Sequence, residues 1–370
     1  MKGPAAQPFA RINFPLIALA VFALLAALWA GLLRLGWALP PLRPTLAMSH
    51  GPLMACGFLG TLLSLERAVG LSRLQSRWRW SYLAPAATGV GALLLTLHIG
   101  GTLAVGLITL GSLVMAASML LIVRIHAATH NIIMLIGAVA WLIGNLLWLF
   151  GRSIPEVTLW WAAFLVLTIA GERLELSRLL QPTRNQQLAF GVGIVLFLGG
   201  VVLSAFAYAA GVRLASAGLL AIALWLLAFD ITRRTIRRHG LARYIAVALL
   251  TGYVWLAVAG LLGLRFGGVT AGFQYDAILH SLFVGFVFSM IFAHAPIILP
   301  LLSGLSLTFG PNFYVPLVLL QLSLVLRVLG DLTMQQVVRQ WGGLLNEVAI
   351  LLFLGMLVRE VVRSRRRTAG

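Results

Sequence analysis

Long apolar stretches dominate this sequence, and their length is the feature that most restricts its fold. A helix that crosses a bilayer needs about 20 predominantly apolar residues. Twelve stretches approach or meet that length, and polar, glycine-rich or proline-rich segments separate many of them. They lie approximately at residues 13–33, 45–66, 80–98, 101–123, 131–150, 157–172, 188–209, 214–231, 244–264, 276–300, 312–329 and 341–358. The sequence therefore predicts an all-α polytopic membrane protein with about twelve transmembrane helices.

The composition excludes several other classes of protein. Charged residues make up 10% of the chain, whereas soluble domains contain about 25%. The single cysteine, Cys56, excludes a disulfide scaffold. The net charge of +18 comes from basic residues that punctuate apolar runs, which argues against a nucleic-acid partner. We expect one integral membrane domain over 1–370, with a short basic N-terminal segment at 1–12, a C-terminal tail at 359–370 and the lipid bilayer as its partner.

The distribution of basic residues predicts the orientation of the chain. If the N-terminus lies in the cytoplasm, 20 of the 27 Lys and Arg residues fall on the inner side of the twelve spans. Cytoplasmic loops of membrane proteins carry such an excess of positive charge. The bias therefore predicts that both termini are cytoplasmic, in a multi-pass protein of a bacterial-type inner membrane.

Two histidines fall at matching depths within the predicted spans. His50 lies about five residues into span 2 and His280 about five residues into span 10, and both spans start at the outer face. At a rise of about 1.5 Å per residue, both imidazoles lie roughly 7 Å below the outer boundary. Two neutral imidazoles on separate helices provide the axial ligands that a haem iron requires. The alternative is two structural histidines that hydrogen-bond to neighbouring helices.

Ionisable residues also cluster at the predicted inner ends of spans 2, 6 and 10. Glu66-Arg67 and Glu172-Arg173 are 106 residues apart, which is four spans, and His294 follows in span 10. This spacing predicts three repeated four-helix units in a pseudo-threefold arrangement. The five side chains would form an inner polar cluster or a proton entry, and the alternative is local ion pairs near helix ends.

Further ionisable residues lie towards the predicted outer face. Arg327 is the strongest candidate for a contact with a haem propionate, ahead of Arg265 and Arg339. Ordinary interfacial placement is the alternative explanation for all three positions. Asp276 stands one helical turn before His280 and is a candidate to orient it.

These features resemble subunit I of the haem-copper oxidases. His50, Gly51 and Met54 are similar to that family's motif in span 2, whose histidine binds the low-spin haem. The segment from His280 to Ile291 is similar to its span 10, and more closely to the histidine segment of the NnrS family, haem- and copper-associated membrane proteins linked to nitric oxide stress. The resemblance implies a bis-histidine haem b near the outer face, a role in electron transfer or in the nitric oxide or stress response, and quinol or another redox compound as a partner.

The resemblance is restricted to the low-spin haem site. The oxidases carry a second histidine two residues before the low-spin ligand of span 10, where this chain has Ile278. Spans 6 and 7 contain no histidine for a copper centre. Oxygen reduction at a haem-copper centre is therefore not expected. Copper remains a weaker alternative to haem as the bound cofactor. The sequence leaves open whether the protein is an enzyme.

Two other functions remain open at this stage. Twelve spans are also typical of secondary transporters, in which intramembrane polar groups line a substrate path. A transporter predicts two similar halves of six spans, whereas the haem interpretation predicts three units of four. A copper-handling or other metal-handling protein that uses His126, His130 and His294 is the third interpretation.

Overall fold

The computed structural model describes residues 8–40, 45–304 and 307–369, and it is helical with no strand in those ranges. These residues contain twelve helices that are long and apolar enough to cross a membrane. Each overlaps one of the twelve predicted spans, so the prediction of an all-α chain with twelve helices able to cross a membrane is confirmed. The pseudo-threefold arrangement and the cytoplasmic location of the termini stay predictions. Residues 1–7 of the predicted basic N-terminal segment lie outside the described residues.

The helices fall into two compact units, and the first comprises Met1–Thr168 and Ile298–Gly304. Its helices are α1 (Pro8–Leu35), α2 (Leu46–Leu74), α3 (Ser76–Leu97), α4 (Gly101–Ile125), α5 (Thr129–Leu149) and the first part of α6 (Ile154–Ser177). An apolar cluster joins Leu16 of α1 and Leu65 of α2 to Leu302. Asn13 reinforces it, because its Nδ2 donates to the carbonyl oxygen of Leu302 at 2.8 Å.

The second unit comprises Ile169–Ile297 and Leu305–Gly370. It contains the end of α6, then α7 (Arg184–Ser204), α8 (Tyr208–Phe229), α9 (Gly240–Phe266), α10 (Gly272–Ser303) as far as Ile297, α11 (Tyr314–Leu332) and α12 (Gln336–Ala369). The last turns of α10 belong to the first unit. Glycines allow close packing here, since a Cβ at Gly211 would overlap the backbone of Ser204 and one at Gly218 that of Phe197. Small residues at helix contacts are typical of membrane proteins, where backbones approach closely.

Several helices extend beyond the apolar stretch that predicted them. Helix α2 continues to Leu74, past Arg67, and the predicted C-terminal tail from residue 359 continues α12 as far as Ala369. Hydrogen bonding along the backbone does not stop where hydropathy falls, so a polar extension keeps the helical geometry outside the apolar core. The prediction of a single integral membrane domain over 1–370 stays a prediction.

Candidate functional site

His50 stands near the start of α2, in the first unit. Helix α2 opens with a tight turn at Leu46–Ser49, and His50–Pro52 leads into an eight-residue π-helical segment at Leu53–Gly60. The Nδ1 atom of His50 lies 2.8 Å from the carbonyl oxygen of Ala27 on α1. Because a carbonyl oxygen only accepts, Nδ1 carries the proton and Nε2 carries the lone pair.

His280 has a similar local structure in the second unit. It ends the α-helical segment Gly272–His280 of α10, and the eight-residue π-helical segment Ser281–Phe288 follows directly. Its Nδ1 atom lies 2.9 Å from the carbonyl oxygen of Asp276 and 3.3 Å from the Oδ1 atom of the same residue. The contact between Asp276 and His280 is therefore present. It places the proton of a neutral imidazole on Nδ1, as in His50.

The two π-helical segments also match in sequence. Gly-Phe occupies the fifth and sixth positions of each, as Gly57-Phe58 and Gly285-Phe286, and a hydroxyl residue follows each segment directly, as Thr61 and Ser289. π-Helical turns are rare and occur frequently at functional sites. Nothing in the hydropathy pattern indicated them, because the wider turn is a backbone feature. Helix α6, the expected third equivalent, is α-helical throughout Ile154–Ser177.

Hydrogen bonding at Nδ1 is what ligand histidines in metal proteins generally show, because it fixes the tautomer and orients the ring. It is not unique to the two candidates, since the Nδ1 atom of His294 lies 2.8 Å from the carbonyl oxygen of Met290. The π-helical segment that begins within three residues after the imidazole distinguishes His50 and His280 from His294.

Gly51, beside His50, and Gly285, five residues after His280, have different surroundings. A Cβ at Gly51 would meet Ile154 at an ordinary 3.7 Å, so none of the described residues crowds this position. A Cβ at Gly285 would overlap Trp255 of α9, so packing within the protein already requires that glycine. Met54 lies on the π-helical segment of α2 and is half-buried. The assignment of Gly51 and Met54 to the cofactor site stays a prediction.

Asp276 is the centre of a buried ion-pair network in the second unit. Arg327 of α11 binds it with two hydrogen bonds, from Nε to Oδ2 at 2.8 Å and from Nη2 to Oδ1 at 3.0 Å. Arg339 of α12 donates to Oδ1 at 3.1 Å, and its Nε lies 3.1 Å from Oδ1 of Asp331. The side chain of Asp331 is fully buried. Ionisable groups at this depth are costly and are functional candidates by default.

Glycines bring the two arginines of this network together. A Cβ at Gly342 of α12 would overlap the backbone of Arg327, and one at Gly330 of α11 would press on the backbone of Arg339. Helices α11 and α12 therefore approach closely at the level of the two guanidinium groups. The predicted propionate contact of Arg327 stays a prediction, and its Nε and Nη2 donate to Asp276.

Glu347 adds a third carboxylate to this region of the second unit. It is 8% exposed on α12, and no described residue donates a hydrogen bond to it. Arg327 is the cation that acts on it electrostatically. If all three carboxylates are ionised and His280 is neutral, these three negative charges exceed the two positive charges of Arg327 and Arg339.

The residues of the predicted inner polar cluster fall in different units. Glu66 and Arg67 belong to the first unit, whereas Glu172, Arg173 and His294 belong to the second. The assignment of these five residues to one cluster stays a prediction.

Arg173 has a partner that the sequence analysis missed. Its Nε and Nη2 donate to Asp230 at 2.9 and 2.8 Å, and both side chains are buried. Asp230 also accepts from the backbone N–H of Thr232 at 2.8 Å. In the sequence, Asp230 is noticeable only as an acidic residue shortly before the arginine-rich segment. Its pairing with Arg173 of α6 becomes visible only in the structure.

The proposed metal-handling histidines form a smaller group than expected. The rings of His126 and His130 lie 5.9 Å apart between centroids, and Nδ1 of His126 contacts Asn131. The described ranges contain no group of three or more His, Cys, Asp or Glu side chains able to hold a metal ion. A haem iron needs only two axial ligands from the protein, so the absence of groups of three or more does not test His50 and His280.

Comparison with known proteins identifies one family. No curated protein matches the chain, and no solved structure matches it either. One family profile, described as a domain of unknown function (DUF8744), matches residues 12–362. That range includes α2 to α11 in full, most of α1 and α12, and both π-helical segments. The chain therefore belongs to the DUF8744 family.

Proposed function

We propose that this protein is a membrane haem protein in which His50 and His280 are the axial ligands of a b-type haem. The observation that carries the proposal is the local structure that the two residues share. Each imidazole donates from Nδ1 to a backbone carbonyl oxygen, and each is followed within three residues by an eight-residue π-helical segment. A neutral imidazole held in this tautomer presents the Nε2 lone pair that iron ligation uses.

The role we assign is electron transfer or participation in a nitric oxide or stress response. A haem with two imidazole ligands supplies one-electron chemistry. The protein's contribution is to orient the rings and to set the charge around them. Asp276 does both for His280, because it accepts from Nδ1 and is itself held by Arg327 and Arg339. Quinol or another redox compound is the corresponding partner.

Haem content and the visible spectrum of the purified full-length protein test this proposal. We expect stoichiometric haem after expression in haem-replete cells, with a Soret band that shifts on reduction. The variants His50→Ala and His280→Ala should each lose or strongly alter that band. His294→Ala is the matched control, because it removes an imidazole with the same Nδ1 contact. A folded, colourless wild-type protein, or equal spectra in all three variants, would contradict the proposal.

A proton-coupled secondary transporter is the second candidate function. The observation that favours it is that three buried carboxylates, Asp276, Asp331 and Glu347, share two arginines, and that Glu347 receives no hydrogen bond from the described residues. A buried carboxylate that no cation binds through a hydrogen bond is costly in its ionised form, which favours the protonated form. Transporters use such groups inside the membrane as proton relays.

Proton movement in proteoliposomes separates the two functions. A transporter predicts a proton flux, read with an internal pH dye, that Glu347→Gln abolishes. Glu156→Gln is the control, since Glu156 is an exposed acid whose partner Arg152 is also exposed. Equal flux in both variants and in empty vesicles would leave no support for transport.

A further inference from the structure

A cavity opens beside the arginine-rich segment that follows α8, wholly within the second unit. Its volume is about 370 Å³, within the range of small-ligand sites. Arg233, Arg234 and Arg237 line one side. Leu180 and Phe229 provide apolar wall.

The acidic residue in the lining of this cavity does not balance the positive charge of its three arginines. Asp230 is the acidic residue in its lining, and the buried guanidinium of Arg173 already binds both oxygens of that carboxylate. Arg233 donates to the carbonyl oxygen of Ala228 at 2.8 Å, which is a neutral acceptor. Among the described residues, no carboxylate pairs with Arg234 or Arg237. The cavity therefore presents a net positive wall.

Arginine is the residue best suited to bind phosphate, because its planar guanidinium donates two parallel hydrogen bonds to phosphate oxygens. The cavity also adjoins exposed apolar surface, since Leu179 on the preceding turn is 73% exposed. The arginine bias of the sequence predicts that this end of the helices faces the cytoplasm, where anionic lipid headgroups attract basic pockets between helices.

We propose that this cavity is a binding site for a phosphate group, held by Arg234 and Arg237. The phosphate belongs either to the headgroup of an anionic phospholipid or to a free phosphate ion. The apolar wall and the exposed Leu179 beside it would contact the acyl chains of a lipid but contribute nothing to the binding of a free ion. This site is independent of the haem proposal, because it involves neither histidine ligand and lies on a different segment of the chain.

The test compares full-length wild-type protein with Arg234→Gln, Arg237→Gln and the double variant. Arg238→Gln is the matched control, because it removes the same charge from the same segment but does not line the cavity. One arm measures retention of phosphatidylglycerol by native mass spectrometry, after exchange from mixed phosphatidylglycerol and phosphatidylcholine micelles. The other arm measures binding of inorganic phosphate to the same protein by calorimetry.

We expect each single cavity variant to weaken binding by about fivefold, because the attraction of one basic residue to an anionic headgroup corresponds to about that factor. The double variant, which loses two such residues, should bind about 25-fold more weakly. Arg238→Gln should stay within about twofold. Loss in the phosphatidylglycerol arm alone identifies a lipid headgroup, and loss in both arms identifies a phosphate site that also accepts the free ion. Equal effects of Arg238→Gln and the cavity variants, or no binding of either probe to the wild-type protein, would overturn the proposal. Thermal unfolding of each variant shows whether it remains folded, and the exposed arginines predict unchanged melting.

Discussion

The coupling energy between Asp276 and Arg327 should be far larger than that of an exposed ion pair on the same protein. Both side chains are about nine-tenths buried, and two hydrogen bonds of 2.8 and 3.0 Å join them. Unit charges about 4 Å apart attract each other by about 4 kcal/mol at an effective dielectric constant of about 20. Arg339 also contacts Asp276, at 3.1 Å, so it retains part of that attraction when Arg327 is lost. We therefore expect a coupling energy of about 3 kcal/mol.

A double-mutant cycle measures this coupling energy. The variants are Asp276→Asn, Arg327→Gln and the double substitution, unfolded reversibly in mixed micelles with increasing SDS and followed by tryptophan fluorescence. The chain has 11 tryptophans, so the signal is strong. The matched cycle uses Arg152 and Glu156, whose side chains are 57% and 42% exposed. That pair should couple by about 0.3–0.5 kcal/mol. A coupling energy for Asp276 and Arg327 as small as that of the exposed pair would refute the reasoning.

Two further predictions follow from the packing and the orientation of the helices. Gly342→Ala should lower the free energy of unfolding by about 1–3 kcal/mol, because its Cβ would overlap the backbone of Arg327. Gly355→Ala on the same helix should leave stability equal or raise it by up to about 1 kcal/mol, because no atom of the described residues would lie within 4 Å of the new Cβ. Equal losses in both variants would contradict the packing. With the single, buried Cys56 replaced by Ser, Ser153→Cys should react with an impermeant maleimide from the outer side of the membrane. His239→Cys should react only after permeabilisation, and the reverse pattern would contradict the predicted orientation.

The fold was largely predictable from the sequence because a bilayer imposes a length on each helix. All twelve spans emerge from hydropathy alone, and the charge distribution predicts their orientation. Helix ends were less predictable, since α2 and α12 continue into polar sequence that no longer needs the membrane. The π-helical segments were not predictable, because their apolar residues satisfy the hydropathy window in either helical form.

The site was predictable only in part. Depth and spacing singled out His50 and His280, and the sequence proximity of Asp276 to His280 indicated their contact. The pairing of Asp276 with Arg327 joins residues 51 positions apart, and the pairing of Arg173 with Asp230 joins residues 57 positions apart. Such pairs depend on which helices become neighbours, and local sequence patterns do not encode that.

Electron paramagnetic resonance of the oxidised, full-length protein tests axial ligation by His50 and His280 most directly. A haem iron with two imidazole ligands gives a low-spin ferric signal, and loss of either ligand converts it to a high-spin signal or releases the haem. We predict the low-spin signal in the wild-type protein and in His294→Ala, and its loss in His50→Ala and in His280→Ala separately. A low-spin signal that survives in either of those two variants, or a wild-type protein without haem iron, would contradict the account.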